Sequence, residues 1–268
     1  MAGFGFGQYA HRAWEPWWSI LRYVLLMGVL IWLAGRGAEN LGYNWQWYRV
    51  DEVVFSVQDG RWQAGPLLQG LVMTLKISGV SLLLSLVIGL SIALLRLLPS
   101  AMGRVLARTY LELVRNIPLL ILIFFIYFVV GPLFGLGRFA SAVLALSLFE
   151  GAYASEIFRA GIVSIHRGQW EAAYSLGLST WDTYVRVVMP QAVRRIVPPL
   201  TGQAVSLIKD SALVSTIAIY DLTMQGQALV ADTFLAFEVW FTVAGMYLVL
   251  TVTLSIAAWF LERRLAVQ

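Results

Sequence analysis

The 268-residue sequence has no cysteine, only two lysines (Lys76 and Lys209) and only two histidines (His11 and His166). Without cysteine there is no disulfide and no thiolate metal site. The histidines are isolated, and no metal-ligand set gathers around either. Neither lysine follows a glycine, so the phosphate-binding loop Gly-x-x-x-x-Gly-Lys-[Ser/Thr] is missing and the chain is not expected to hydrolyse ATP. Charge is also scarce: 13% of residues, against about 25% in an average soluble domain. A soluble protein of this length needs far more polar surface, and a disordered one far less hydrophobicity. The arginines are spread between apolar runs rather than gathered into the basic patch of a nucleic-acid binder. The adjacent Asp51 and Glu52 lie in a polar segment and form no catalytic pair. No polar constellation for a membrane enzyme can be assembled.

What the sequence does have is apolar length. Hydrophobic residues make up 59%, and the mean hydropathy is +0.75. About 20 apolar residues in a helix cross a bilayer. Six spans are predicted: Trp17–Ala34, Pro66–Leu95, Ile117–Val130 (extending back to Leu111), Phe139–Phe158, Ile196–Tyr220 and Trp240–Leu261. The first is long for a signal-peptide core and is read as a retained span. If the amino terminus is cytoplasmic, the inner segments hold twelve arginines against five acids, a balance of +7. The outer segments hold four arginines against seven acids, a balance of −3. The positive-inside bias then places both termini in the cytoplasm. The outer segment 35–65, with Tyr43, Trp45, Trp47 and Tyr48, reads as an amphipathic element at the interface, its tryptophans acting as anchors. The proline pair Pro198-Pro199 is expected to break the fifth span and free carbonyls near a pathway.

The inner loop, about residues 160–195, carries the most specific signal. Gly168-Gln169-Trp170-Glu171-Ala172-Ala173 runs into Leu176-Gly177-Leu178. Trp170, Ala173, Leu176 and Gly177 fall at offsets of three and four, which puts them on one side of a helix. Gly177 offers a turn, and Ser179 or Thr180 can cap a second helix running toward Met189-Pro190. The predicted unit is a helix–turn–helix hairpin at the membrane surface.

The spacing Glu171-Ala172-Ala173, three residues, Gly177, nine residues, Val187, then Met189-Pro190 resembles the EAA loop of ABC importer permeases, with Met189 in place of Leu. Other segments resemble the polar amino-acid branch of that family. Gly70 with Thr74-Leu75 and Ser78 resembles its opening segment. Arg115-Asn116-Ile117-Pro118 resembles its R-[GN]-x-P motif. Ala152-Tyr153, Glu156 and Arg159-Ala160-Gly161-Ile162 resemble its AY..E..R.GI segment. Leu207–Leu213, containing Lys209-Asp210-Ser211, resembles LLKDTSL with Ser211 and Ala212 as departures. The resemblance covers about residues 66–265.

The resemblance implies an all-α membrane protein with a type I ABC importer fold in the bacterial inner membrane. Residues 66–268 form a five-helix permease core, and residues 1–65 contribute a tail, an extra span and a periplasmic loop. The implied partners are ABC ATPase subunits that bind ATP and Mg, a second copy or sister permease, a periplasmic amino-acid-binding protein, the amino-acid substrate and membrane lipid. Gly168, Gln169, Glu171, Ala172, Ala173 and Gly177 then make the ATPase coupling element. Intramembrane charge is costly and needs a reason. Glu150, Tyr153, Lys209, Asp210 and Ser211 are candidate pathway residues, the alternative being that the charges only pair internally. Arg115, Pro118, Glu156, Arg159 and Pro190 are candidate gate or structural residues. An ion-coupled secondary amino-acid transporter is the competing function, disfavoured by the EAA spacing.

Overall fold

A computed structural model describes residues 15–40, 42–58 and 61–266. His11, Arg12 and Asp59 lie outside these residues. The chain divides into two compact units, residues 1–46 and 47–268.

In the first unit, helix α1 (Glu15–Asn40) contains the apolar stretch Trp17–Ala38, long enough to cross a membrane. One turn separates Trp32 from Arg36, and the guanidinium lies 4.7 Å from the ring centroid, a cation–π contact.

The second unit opens with a 3₁₀ turn (Trp47–Arg49), a short helix α2 (Val50–Val54) and a hairpin. Strand β1 (Phe55–Gln58) pairs antiparallel with β2 (Arg61–Ala64), Phe55 opposite Ala64 and Gln58 opposite Arg61. The segment expected to lie as one amphipathic element is thus folded into a turn, a helix and a hairpin.

Helix α3 (Pro66–Leu97) begins with proline at its first position, where the missing N–H costs nothing. Its buried stripe is small and polar: Gly70, Thr74, Ser78, Ser81, Ser85, Gly89 and Ala93. From Ser81 onward that stripe packs on α7 (Arg138–Val163), the central helix of the unit, while Gly70 and Thr74 meet residues 221–225. At Gly89 a Cβ would come within 2.7 Å of Ala154 Cβ and 3.0 Å of Ser155 N. In a bilayer lipid is as apolar as leucine, so close backbone approach through small residues is what holds helices together.

Helix α4 (Ala101–Asn116) starts on Ser100, whose Oγ accepts from Gly103 N–H at 3.1 Å. Ile117, held extended by the proline behind it (φ −98°, ψ 129°), ends the helix. The chain then turns by 108° into α5 (Leu119–Phe124), a wide turn (Phe125–Val130) and α6 (Gly131–Phe134).

Helices α8 (Arg167–Ser175) and α9 (Thr180–Asp182) follow α7. A wide turn (Thr183–Val188) continues into α10 (Met189–Asp210). The expected break at Pro198-Pro199 does not occur, for α10 runs through both prolines. The carbonyls a proline leaves unbonded are those four residues earlier, on Arg194 and Arg195, and both residues are exposed. These positions lie in the second turn of α10, well before Gln203 and Asp210. The fifth expected span is shorter than predicted. At Asp210 the helix tightens into a 3₁₀ segment (Ser211–Ile217) and stops at Ala218, in the left-handed region at φ 55°.

Helix α11 (Leu222–Thr233) fills the stretch between the fifth and sixth predicted spans. Asp221 caps it, its Oδ1 accepting from Met224 N–H at 2.8 Å. Thr74 Oγ1 on α3 accepts from Leu222 N–H at 3.1 Å, which fixes this end of the unit. Helix α12 (Ala236–Ala266) closes the chain.

Among the described residues four helices, α1, α3, α7 and α12, are long and apolar enough to cross a membrane, and a fifth crossing results if α4 and α5–α6 count as one bent span. The protein is an all-α membrane protein with one small hairpin. A sixth crossing is not among these helices: α10 has the length, with 22 residues, but carries Arg194, Arg195, Lys209 and Asp210.

Candidate functional site

The hairpin expected around residues 168–178 is held by a cluster at the end of α7 and the start of α10, built on Ile162, Ile165, Val188, Ala192 and Ile196. Here too the backbones approach closely, since a Cβ on Gly161 would lie 2.2 Å from Ile196 Cγ1. His166 caps α8 with its ring: Nδ1 accepts from Gly168 N–H at 3.0 Å. Trp170 turns inward and meets Tyr184 edge-on at 4.9 Å. Ala173 is buried beneath it. Gln191 Nε2 donates to Gln169 Oε1 at 3.1 Å, joining α8 to α10.

The turn itself is a Schellman motif. Leu178 N–H bonds to Ala173 O at 3.1 Å, and Gly177 N–H to Tyr174 O at 2.9 Å, with Gly177 at φ +79°. Ser179 starts the next helix, its Oγ accepting from Asp182 N–H at 3.1 Å and donating to Asp182 Oδ2 at 2.6 Å. The predicted common face is split. Trp170 and Ala173 point inward, but α8 ends at Ser175, so Leu176 is carried out to 81% exposure. Trp181, 76% exposed, stands on the far side of the turn. Glu171 and Ala172 are exposed, and Glu171 Oε1 accepts from Arg167 Nε at 2.9 Å, one turn away. Pro190 occupies the first turn of α10.

Glu150 is buried at 1% exposure in the middle of α7. Gln203 Nε2 on α10 donates to its Oε2. Asp210, seven residues further along α10 and so on the same face, acts electrostatically on the same carboxyl. The other oxygen, Oε1, has no hydrogen-bond partner among the described residues. Lys209 points elsewhere and is exposed, as adjacent positions on a helix require. Ser211 is fully buried, with its hydroxyl donating to Ile208 O at 2.7 Å. Gln203 was not singled out from the sequence, because an amide in an apolar run carries no charge to mark it. Its seven-residue offset from Asp210 is the signal that was there.

Tyr153 does not join Glu150. It packs on Phe149 at 5.2 Å and lies under the Arg115 guanidinium at 5.6 Å. That places it with a second cluster centred on Glu156. Glu156 pairs with Arg96, with Arg159 at 3.1 Å and with Arg115 at 3.7 Å. Arg96, just past the second predicted span, was not singled out from the sequence, since sixty residues separate it from Glu156. Pro118 lies at the bend beside this cluster. Among the described residues no group of three or more His, Asp or Glu could hold a metal ion.

The sequence profile of the family described as "Binding-protein-dependent transport system inner membrane component" matches residues 85–267. The glutamine transport system permease protein GlnP of Escherichia coli K12 is 40% identical over 210 residues, covering 77% of this chain and 96% of that protein. The L-cystine transport system permease protein TcyB of Bacillus subtilis is 37% identical over 215 residues, covering 78% and 89%. One chain in the crystal structure of an amino acid ABC transporter with histidines superposes with a TM-score of 0.70 at 35% identity, covering 74% of this chain and 94% of that one. With its EAA-type spacing folded as a capped hairpin, this chain belongs to the family of binding-protein-dependent transport system inner membrane components.

Proposed function

We propose that the chain is the membrane-spanning subunit of an ATP-driven importer of polar amino acids in the bacterial inner membrane. Separate ATPase subunits supply the energy, and a periplasmic binding protein delivers the substrate. The permease works as a pair, with a second copy or a sister permease. The observation that carries this reading is the α8–α9 hairpin. It offers an apolar tip (Tyr174, Leu176, Trp181) on a rigid, doubly capped turn, a shape suited to a groove on a partner.

In this reading the coupling residues are Gly168, Gln169, Glu171, Ala172, Ala173 and Gly177. Gly168 and Ala173 shape the helix, Gly177 makes the turn, and Glu171 stays exposed to accept a charge-assisted bond from the ATPase. Glu150, Asp210 and Ser211, with Gln203, mark the substrate pathway, where paired acceptors and donors receive a zwitterion. Lys209 is the cation of this segment, and Tyr153 forms the boundary between the pathway and the Glu156 cluster. Arg115, Pro118, Glu156 and Arg159 form the inner gate, and Pro190 starts α10 behind it. Both termini face the cytoplasm. Residues 1–65 add a span to a core of 66–268.

The test is uptake of a panel of labelled amino acids by the complex in proteoliposomes, with ATP inside and with or without the binding protein. Uptake that needs both supports the proposal. Uptake driven by an ion gradient without ATP overturns it.

A further inference from the structure

Besides Glu150, two carboxyls among the described residues are fully buried, Asp221 and Glu238. Neither belongs to the pathway, the gate or the hairpin. Asp221 lies in the joint where α3, α11 and α12 meet. Leu97, at the end of α3, packs on the cluster that holds the hairpin. Thr74, which bonds to the start of α11, is twenty-three residues earlier on α3, about 35 Å along the helix. The joint is therefore at the opposite end of the unit from the hairpin. In the proposed orientation that end faces the periplasm.

The joint is close-packed and polar. Ala218, at φ 55°, turns the chain out of the 3₁₀ segment. A Cβ on Gly70 would lie 2.8 Å from Asp221 O and from Leu222 Cα, so α3 comes into backbone contact with the start of α11. The bond from Leu222 N–H to Thr74 Oγ1 fastens the two. On the other side α12 brings Tyr247, whose hydroxyl lies 3.0 Å from Thr223 Oγ1.

Asp221 Oδ1 is engaged in capping α11, but Oδ2 has no hydrogen-bond partner among the described residues. Tyr247 stands near enough to act on the carboxyl without bonding to Oδ2, and it is the titratable group that does so. The α3 residues here, Gly70 and Thr74, carry no charge. Asp232 on α11 and Glu238 on α12 lie toward the other end of that helix pair, eleven residues from Asp221 and nine from Tyr247. Among the described residues no cation acts on the carboxyl. Burial without a counter-charge pushes its pKa up to about 6. An ionised Asp221 has one oxygen unsatisfied, and the phenol has a single hydrogen to divide between it and Thr223.

A proton on Oδ2 removes this shortage. The acid then donates to the Tyr247 oxygen, and the phenol donates to Thr223 Oγ1. We propose that Asp221 is a proton-operated latch: protonated, it ties α11 to α12 through Tyr247 and closes the α3–α11–α12 joint, and ionised, it lets the joint loosen. The proton comes from solvent when the joint opens, since the closed carboxyl is sealed from it. The latch depends neither on which substrate passes nor on how the hairpin is coupled. Because the folded-state pKa is raised, the native chain holds a proton that the unfolded chain lacks between about pH 4 and pH 6. The stability contributed by this group therefore grows as pH falls through 6.

The test uses the full-length chain in detergent and compares wild type with Asp221→Asn at each pH, so that the other titrating groups cancel. Asparagine caps a helix as aspartate does, and its amide is a permanent donor in place of the acid O–H. Relative to the variant, the wild-type melting temperature should rise by about 3 °C between pH 8 and pH 5, with a midpoint near pH 6. Amide hydrogen exchange in α11 should be faster in the wild type than in the variant at pH 7.5 and equal in the two at pH 5. Tyr247→Phe takes a donor from the charged form and should move the midpoint upward. A melting difference that stays flat across this range overturns the proposal. So does equal exchange in α11 at pH 7.5, or a midpoint that Tyr247→Phe leaves in place. If the asparagine variant does not fold, wild type and Tyr247→Phe are compared alone, and coincident pH profiles are the overturning result.

Discussion

Gly177 is where one residue type decides the geometry of the hairpin. Its φ of +79° costs any residue with a Cβ about 1–2 kcal/mol, although there is open space around it. Gly177→Asp adds that strain and a charge beside the exposed apolar side chains of Leu176 and Trp181. The complex should still insert, while uptake falls by about tenfold, the effect of about 1.4 kcal/mol at an interface. ATP hydrolysis should no longer respond to the loaded binding protein. Normal uptake together with normal stimulation of hydrolysis would sink the coupling role. Glu150 poses a different question, because a buried carboxyl with one bonded and one unbonded oxygen serves either packing or passage. Glu150→Gln preserves shape and one hydrogen bond. A pathway role predicts lowered uptake with unchanged melting. Lowered melting with unchanged transport rate and selectivity would make Glu150 a structural residue. Residues of this kind were legible in the sequence because charge inside an apolar run stands out, as Glu150 and Asp210 did. Gln203 and the grouping of Tyr153 with Arg115 were not, since the first bears no charge and the second depends on which face of α7 meets α4.

Among the elements, α3 and α7 form the contact on which the second unit depends. Gly89→Val would push its side chain into Ala154 and Ser155, at a cost of about 1–3 kcal/mol. The variant should unfold at a lower temperature in detergent, and Ala154→Gly in the same chain should recover part of the loss. If Gly89→Val melts like the wild type, the close approach is not what holds the pair. The long apolar helices could be read from composition alone, since a bilayer demands length and apolarity. Their packing faces could not. Both the lipid-facing and the protein-facing sides of α3 are weakly polar or apolar, and the usual two-sided pattern is muted. The small elements were harder still. Helix α11 has a capping aspartate but only twelve residues between two apolar runs, and the β1–β2 hairpin has four-residue strands. Hydropathy does not mark the change at Asp210 from α10 to its 3₁₀ extension, because both sides of it are apolar.

For the whole molecule, the charge asymmetry of the loops predicts an orientation that can be read directly. The natural chain has no cysteine, so each introduced one is a unique label. Asp232→Cys should react with a membrane-impermeant maleimide in cells whose outer membrane is permeabilised. Leu176→Cys should react only in inverted vesicles. Both sites are exposed on this chain, and with the vesicles stripped of the ATPase that would cover Leu176, accessibility reports the side of the membrane. The reverse pattern would overturn the inside assignment of the hairpin.

The connections on either side of the hairpin have a mechanical consequence. Only three residues separate Val163 at the end of α7 from Arg167 at the start of α8, and α9 passes into α10 through a wide helical turn without any loop. Arg195 on α10 also donates to Ser164 O in the short link. A linkage this stiff has no slack in which a displacement at Leu176 could be lost. If the tip docks on the ATPase as proposed, a push on it is delivered as a tilt of α7 against α10, the two helices that carry Glu150 and Gln203.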